Sequence, residues 1–195
     1  PYPNLYFANA NEEILLLIDQ KNNLEIIHTE WSLDTNFNGK YIANEEELMV
    51  FAQQVKFPSH GIILKKSKDA KKDIFKGIVE QEALLRIFNQ IMNTHKKVFA
   101  ETDMRASFNP TRMKVIKTAT ESLIAKINSH CPLCKHPGFD VSEVVRGLKC
   151  SQCYQPTKTI LSHIYKCKGC NYKEERLFPK NKKTEDPGFC DFCNP

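Results

Sequence analysis

Eight cysteines fall into four C-x-x-C pairs, all after residue 130, and no other feature constrains the fold as strongly. The pairs are Cys131/Cys134, Cys150/Cys153, Cys167/Cys170 and Cys190/Cys193, with 15, 13 and 19 residues between successive pairs. Two cysteines three apart on a tight turn aim both sulfurs at one tetrahedral Zn²⁺, and two such turns close a site. The spacing therefore predicts two structural zinc ions, each in a Cys₄ site. An even cysteine count is also compatible with disulfides in a secreted domain, or with an iron–sulfur cluster. Four successive knuckles favour zinc, and four redox pairs in so short a tail are implausible. Thiolate ligands imply a reducing, cytoplasmic setting.

The tail alternates knuckles with strand-like segments: Phe139 to Val145, Thr157 to Tyr165 and Tyr172 to Phe178. Traced as a path, the chain leaves Cys131/Cys134, runs out, turns at Cys150/Cys153, returns to Cys167/Cys170 and runs out again to Cys190/Cys193. This path puts the first and third pairs on one metal and the second and fourth on the other. The sequential alternative, first with second and third with fourth, leaves the long middle strand as a mere connector. A segment this short has little apolar core, so metal staples are physically expected.

The metal also changes the charge balance. Residues 129–195 carry 11 basic and 7 acidic side chains, and residues 1–128 carry 17 and 16. Each Zn²⁺ with four thiolates contributes −2. The formal +5 of the chain therefore falls to near +1 with both sites filled, and the overall charge is weak evidence for a nucleic-acid partner. Local basic faces remain at Lys166, Lys168, Lys173 and Arg176, and at Lys180, Lys182 and Lys183. No apolar run approaches the roughly 20 residues that span a bilayer, so no membrane partner is expected.

Residues 1–128 read as an α/β domain and 129–195 as a small β-rich double zinc ribbon. In the first, Ile14 to Ile18 is a buried strand, joined by the polar turn 20–23 to a second strand, Leu24 to Trp31. Asn44 caps a helix whose first turn is Glu45-Glu46-Glu47, with Glu47 placed for a capping box. Gly61 to Leu64 is a short strand, followed by a basic surface loop from Lys65 to Lys72. A helix from about Glu80 to Thr94, a strand 97–101 and a long helix from Pro110 to about Asn128 complete the domain. The last helix should bury Met113, Ile116, Ala119, Leu123 and Ile127. Strands alternating with helices predict a mixed sheet with flanking helices.

One segment reads as chemistry. Glu101-Thr-Asp103-Met-Arg105-Ala-Ser-Phe-Asn109-Pro-Thr-Arg112 spans a strand end and a helix start, where α/β sheets bind ligands. Glu101 and Asp103, two apart, can share a face and hold Mg²⁺ as catalytic carboxylates. Arg105 and Arg112 can grip phosphate bidentately, with Asn109 and Lys76 as further anion-binding candidates. The structural reading, ion pairs plus a helix cap, has about equal weight. Asp34-Thr35-Asn36 could approach the same edge or form an ordinary Asx turn. Neither a Ser-His-Asp nor a Cys-His arrangement is evident.

The run Glu101 to Met113, Cys131-Pro-Leu-Cys134, Gly147 to Cys150 and the end Asp186 to Pro195 together resemble an uncharacterised bacterial family. In that family an α/β region precedes an eight-cysteine tail and a further segment lies upstream. The resemblance implies that this chain is a C-terminal portion, with its α/β domain incomplete at the N-terminus. In layout alone it is similar to nucleoside-triphosphate pyrophosphatases of the inosine-triphosphatase type. Two functions follow as expectations. The first is a zinc-binding module for nucleic acid or protein. The second is a metal-dependent phosphohydrolase acting on a nucleotide or nucleic-acid phosphate through residues 101–112.

Overall fold

The computed structural model describes residues 9–195. Among them are three helices and three small sheets, a mixed α/β protein. Strands β1 (Asn11–Asp19) and β2 (Leu24–Ser32) pair as a two-stranded sheet. Strand β1 alternates rather than lying buried as expected. Ile14, Leu16 and Ile18 are exposed, as are Ile27 and Trp31 on β2, while Ile26 is buried.

The second sheet has the order β3-β6-β4-β5, built from β3 (Gly39–Ile42), β4 (Ile62–Lys65), β5 (Ile74–Ile78) and β6 (Val98–Thr102). Every pairing in it is antiparallel, so the expected mixed sheet is corrected here. Two of these strands are not evident in the sequence. Strand β3 has only four residues, and β5 is interrupted by Gly77, which takes φ +70 beside a register shift opposite Ile62 and Leu64. Helices α1 (Glu45–Gln54) and α2 (Gln81–Met92) pack Leu48, Phe51, Leu84 and Phe88 against Ile42, Ile62, Leu64 and Val98 as the main core.

Local signals behave as physics requires. The Asn44 side chain accepts from Glu47 N–H, and the Glu47 carboxylate accepts from Ala43 N–H, satisfying orphan donors at both positions. Helix α3 (Pro110–Asn128) is capped by Asn109, whose Oδ1 accepts from Arg112 N–H at 2.9 Å. Its buried stripe is Thr111, Val115 and Ala119, at i, i+4 spacing, whereas Met113 is exposed. The stripe expected from apolarity alone is thus displaced, because a polar Thr111 is drawn inward by the buried His60.

The third sheet is β7-β8-β9, from β7 (Asp140–Arg146), β8 (Ile160–Lys166) and β9 (Lys173–Leu177), antiparallel throughout. Phe139, Tyr165 and Tyr172 pack around Cys131 and Cys167 as a small core. The described chain divides into two compact units, residues 9–15 with 27–120 and residues 16–26 with 121–195. No helix among the described residues is long and apolar enough to cross a membrane.

Candidate functional site

The cysteines converge as two tetrads: Cys131, Cys134, Cys167 and Cys170, and Cys150, Cys153, Cys190 and Cys193. Within each, the sulfurs lie within 4.8 Å of one another. This is the interleaved grouping; the sequential one does not occur. In the first tetrad, Cys131–Cys170 and Cys134–Cys167 are separated by 3.8 and 3.5 Å between sulfurs. In the second, Cys150–Cys193 and Cys153–Cys190 are separated by 3.9 and 3.5 Å. A tetrahedron with metal–sulfur bonds near 2.3 Å has an edge of about 3.8 Å, so both tetrads could hold a metal ion. A disulfide would need sulfurs about 2 Å apart.

The knuckles are shaped by the backbone that follows them. Lys135, Tyr154 and Asn171 each sit at positive φ immediately after the second cysteine of a pair. N–H groups of Cys153 and Gln152 aimed at the Cys150 sulfur lower that thiol to about 7, which favours a thiolate ligand. Near the second tetrad, buried Glu185 accepts from Thr159 Oγ1 at 2.6 Å and from Asp186 N–H at 2.7 Å, and pairs with Lys182. Its backbone exchanges hydrogen bonds with Lys149 and Ser151 on either side of Cys150. Glu185 is not singled out by the sequence, where it is one of two adjacent acids after a lysine-rich run. His130 and His136 flank the first knuckle, and neither joins a tetrad.

The Glu101–Arg112 segment is organised by ion pairs and caps. Asp103 is fully buried; one oxygen accepts from Gly77 N–H at 2.8 Å, and Arg105 contributes Nε at 2.9 Å, Nη2 at 2.5 Å and its own N–H at 3.1 Å. Burial pushes this carboxyl up, but the Arg105 and Gly77 donors outweigh it and hold it below the usual range. Glu101 pairs with the mostly buried Lys65 at 2.8 Å. Lys65 thus belongs to the sheet interior, not to a surface loop. Arg112 grips Glu13 at 2.5 and 3.1 Å and donates to Met104 O at 2.7 Å.

Asn109 is buried and donates to the Asn36 side chain at 2.9 Å, while Asn36 donates to Val55 O at 2.9 Å. These two residues brace the loops. Glu101, Asp103, Arg105, Arg112 and Lys76 all line one open cleft of about 510 Å³, together with Phe37, Phe99 and Lys68; Asn109 does not. Sequence reasoning missed Phe37 and Lys68 there, because they reach the cleft from loops distant in the chain.

Fold and site define a two-unit α/β protein with a β-ribbon tail bracketed by two cysteine tetrads, compatible with a zinc-ribbon-like module. The chain belongs to the family described as domain of unknown function (DUF6671), which matches residues 1–195. Neither the curated proteins nor the solved structures yield a match to it.

Proposed function

We propose that the chain is a zinc-stapled binding protein whose C-terminal unit engages single-stranded nucleic acid. Zinc suits both tetrads because four thiolates at tetrahedral spacing form a closed, structural donor set with no open coordination position. The observation that carries the reading is a groove of about 440 Å³ lined by Arg146, Lys158, Lys180 and Phe189. Phe189 is 72% exposed, an aromatic face with no protein packed over it to any large extent. Cations that track a backbone beside an exposed ring are how single strands are held without sequence preference. One acid, Asp191, pairs with Lys158 at 2.8 Å and would be displaced by phosphate.

Phosphohydrolysis, the second reading, requires two carboxylates available to a divalent ion. Both Asp103 oxygens accept hydrogen bonds, and Glu101 is paired with Lys65, so binding is placed first.

The test is anisotropy of a labelled single-stranded oligonucleotide titrated with zinc-loaded protein over a range of salt. Three groove cations predict a log–log salt slope of about −2. Phe189→Ala should cost about 1–3 kcal/mol of binding through lost stacking, and Lys180→Ala should flatten the slope. No binding at low salt, or binding indifferent to both substitutions, would defeat the reading and leave a protein partner as the alternative.

A further inference from the structure

The cleft in the α/β unit is a separate site, independent of the ribbon groove. We infer that it binds a phosphate monoester carried on a planar base, as in a nucleoside monophosphate, with Arg105, Lys76 and Lys68 receiving the phosphate and Phe37 covering the base. Arg105 is aimed rather than free. Its Nε and Nη2 are anchored on Asp103, and its guanidinium stacks over the Phe108 ring at 4.5 Å. That anchoring leaves Nη1 without a protein acceptor among the described residues. A guanidinium held in this way loses little freedom on gripping an oxyanion.

The anchor depends on local backbone geometry. Gly77 takes φ +70 to bring its N–H onto Asp103, and a Cβ there would come within 2.7 Å of the Phe108 ring and 3.1 Å of Arg105 Nη2. Lys76, the residue before it, lines the cleft, as does Lys68. The ammonium groups of these two lysines make no ion pair among the described residues. The cleft's two acids are already matched, Glu101 by Lys65 and Asp103 by Arg105, so the unmatched charge facing the space is positive. Its volume falls in the range of small-ligand pockets. Phe37, 57% exposed, stands at its wall and is available for stacking on a flat ring.

The experiment is calorimetric titration of the full zinc-loaded chain with AMP, inorganic phosphate and adenosine. AMP should bind once per chain, phosphate more weakly, and adenosine at least about tenfold more weakly, the loss of one charge-assisted contact. Lys68→Ala and Lys76→Ala, both at exposed positions, should each weaken AMP roughly tenfold while the melting temperature without ligand stays unchanged. Phe37→Ala should weaken AMP but not phosphate.

A 5′-phosphorylated dinucleotide distinguishes the source of the ligand. Tighter binding than AMP identifies a strand end and weaker binding a free nucleotide, and either result upholds the site. Absence of AMP binding by folded protein, equal binding of AMP and adenosine, or undiminished binding by the Lys68/Lys76 double variant would overturn it. Phe189→Ala should leave AMP binding unchanged, so this site and the ribbon groove stand or fall separately.

Discussion

At the residue scale, the buried polar side chains of the α/β unit are satisfied by partners, and those partners decide what each substitution costs. Among the described residues, Arg112 is the one partner of the Glu13 carboxylate, and it also satisfies Met104 O. Arg112→Ala leaves a largely buried carboxylate without its cation, and unfolding in urea should show a loss of about 2–3 kcal/mol. An unchanged midpoint would mean that water replaces the guanidinium at no cost. His60 makes a different prediction. Its Nε2 accepts from Thr111 N–H at 3.2 Å and contacts Thr111 Oγ1 at 2.9 Å, while Nδ1 meets Ser59 Oγ at 2.9 Å.

Only an unprotonated Nε2 can accept that N–H. Burial, aided by nearby Lys56, lowers the His60 pKa from its ordinary value. The unfolded chain therefore binds this proton more readily than the folded one. The contribution is fully present above about pH 6.5 and is lost as the pH falls below it, at no more than about 1.4 kcal/mol per pH unit. Urea midpoints measured from pH 8 to pH 5 should show this slope, and His60→Gln should flatten it.

At the element scale, the three strands β7, β8 and β9 bury few large side chains. Phe139, Tyr165 and Tyr172 around two cysteines make up most of the apolar cluster there. A sheet with so little core leans on its staples. Chelation that removes metal from both tetrads should abolish amide-exchange protection across β7–β9 and leave β3, β4 and β6 protected, since their core of Phe51, Phe88, Ile62 and Leu64 contains no cysteine. Protection that survives chelation in β8 would show that the aromatic cluster suffices. Helix α1 offers a smaller test of the same logic: Asn44→Ala removes the acceptor of Glu47 N–H and should cost about 1 kcal/mol.

At the scale of the whole molecule, two tetrads that could each hold a metal ion, filled with Zn²⁺ as proposed, would release the protons of the ligating thiols. Native mass spectrometry should therefore find two zinc ions per chain, and denaturing mass spectrometry eight free thiols. One zinc, or any disulfide within a tetrad, would contradict the closed-site reading. With both ions bound, the formal +5 falls to about +1. The nucleic-acid binding proposed above would then rest on local grooves and not on net charge. The groove at Arg146, Lys158 and Lys180 and the cleft at Lys68, Lys76 and Arg105 are such local concentrations.

Short-range physics was legible in the residues alone. Each C-x-x-C turn brings two sulfurs together whatever surrounds it, and the out-and-back path of three strands was enough to pair the knuckles in alternation. The caps at Asn44 and Asn109 were readable because a side-chain oxygen reaches only the N–H groups two or three residues ahead. Long-range pairing outside the cysteine knuckles was not legible. Whether Asp103 would face a metal or an arginine depended on Gly77, 26 residues away, adopting a backbone conformation that delivers its N–H to that carboxylate. The antiparallel order β3-β6-β4-β5 rested on a four-residue strand and a bulged one, which carry too little periodicity to announce themselves. Glu13, 99 residues from Arg112, carries no sign of its partner. The sequence thus determined the helix ends, whose contacts are local, and the cysteine tetrads, whose partners lie 33 to 43 residues apart but carry one repeated C-x-x-C signature. Only the tertiary structure decided which charges neutralise one another and which remain facing a cleft, because that balance belongs to residues that meet solely through folding.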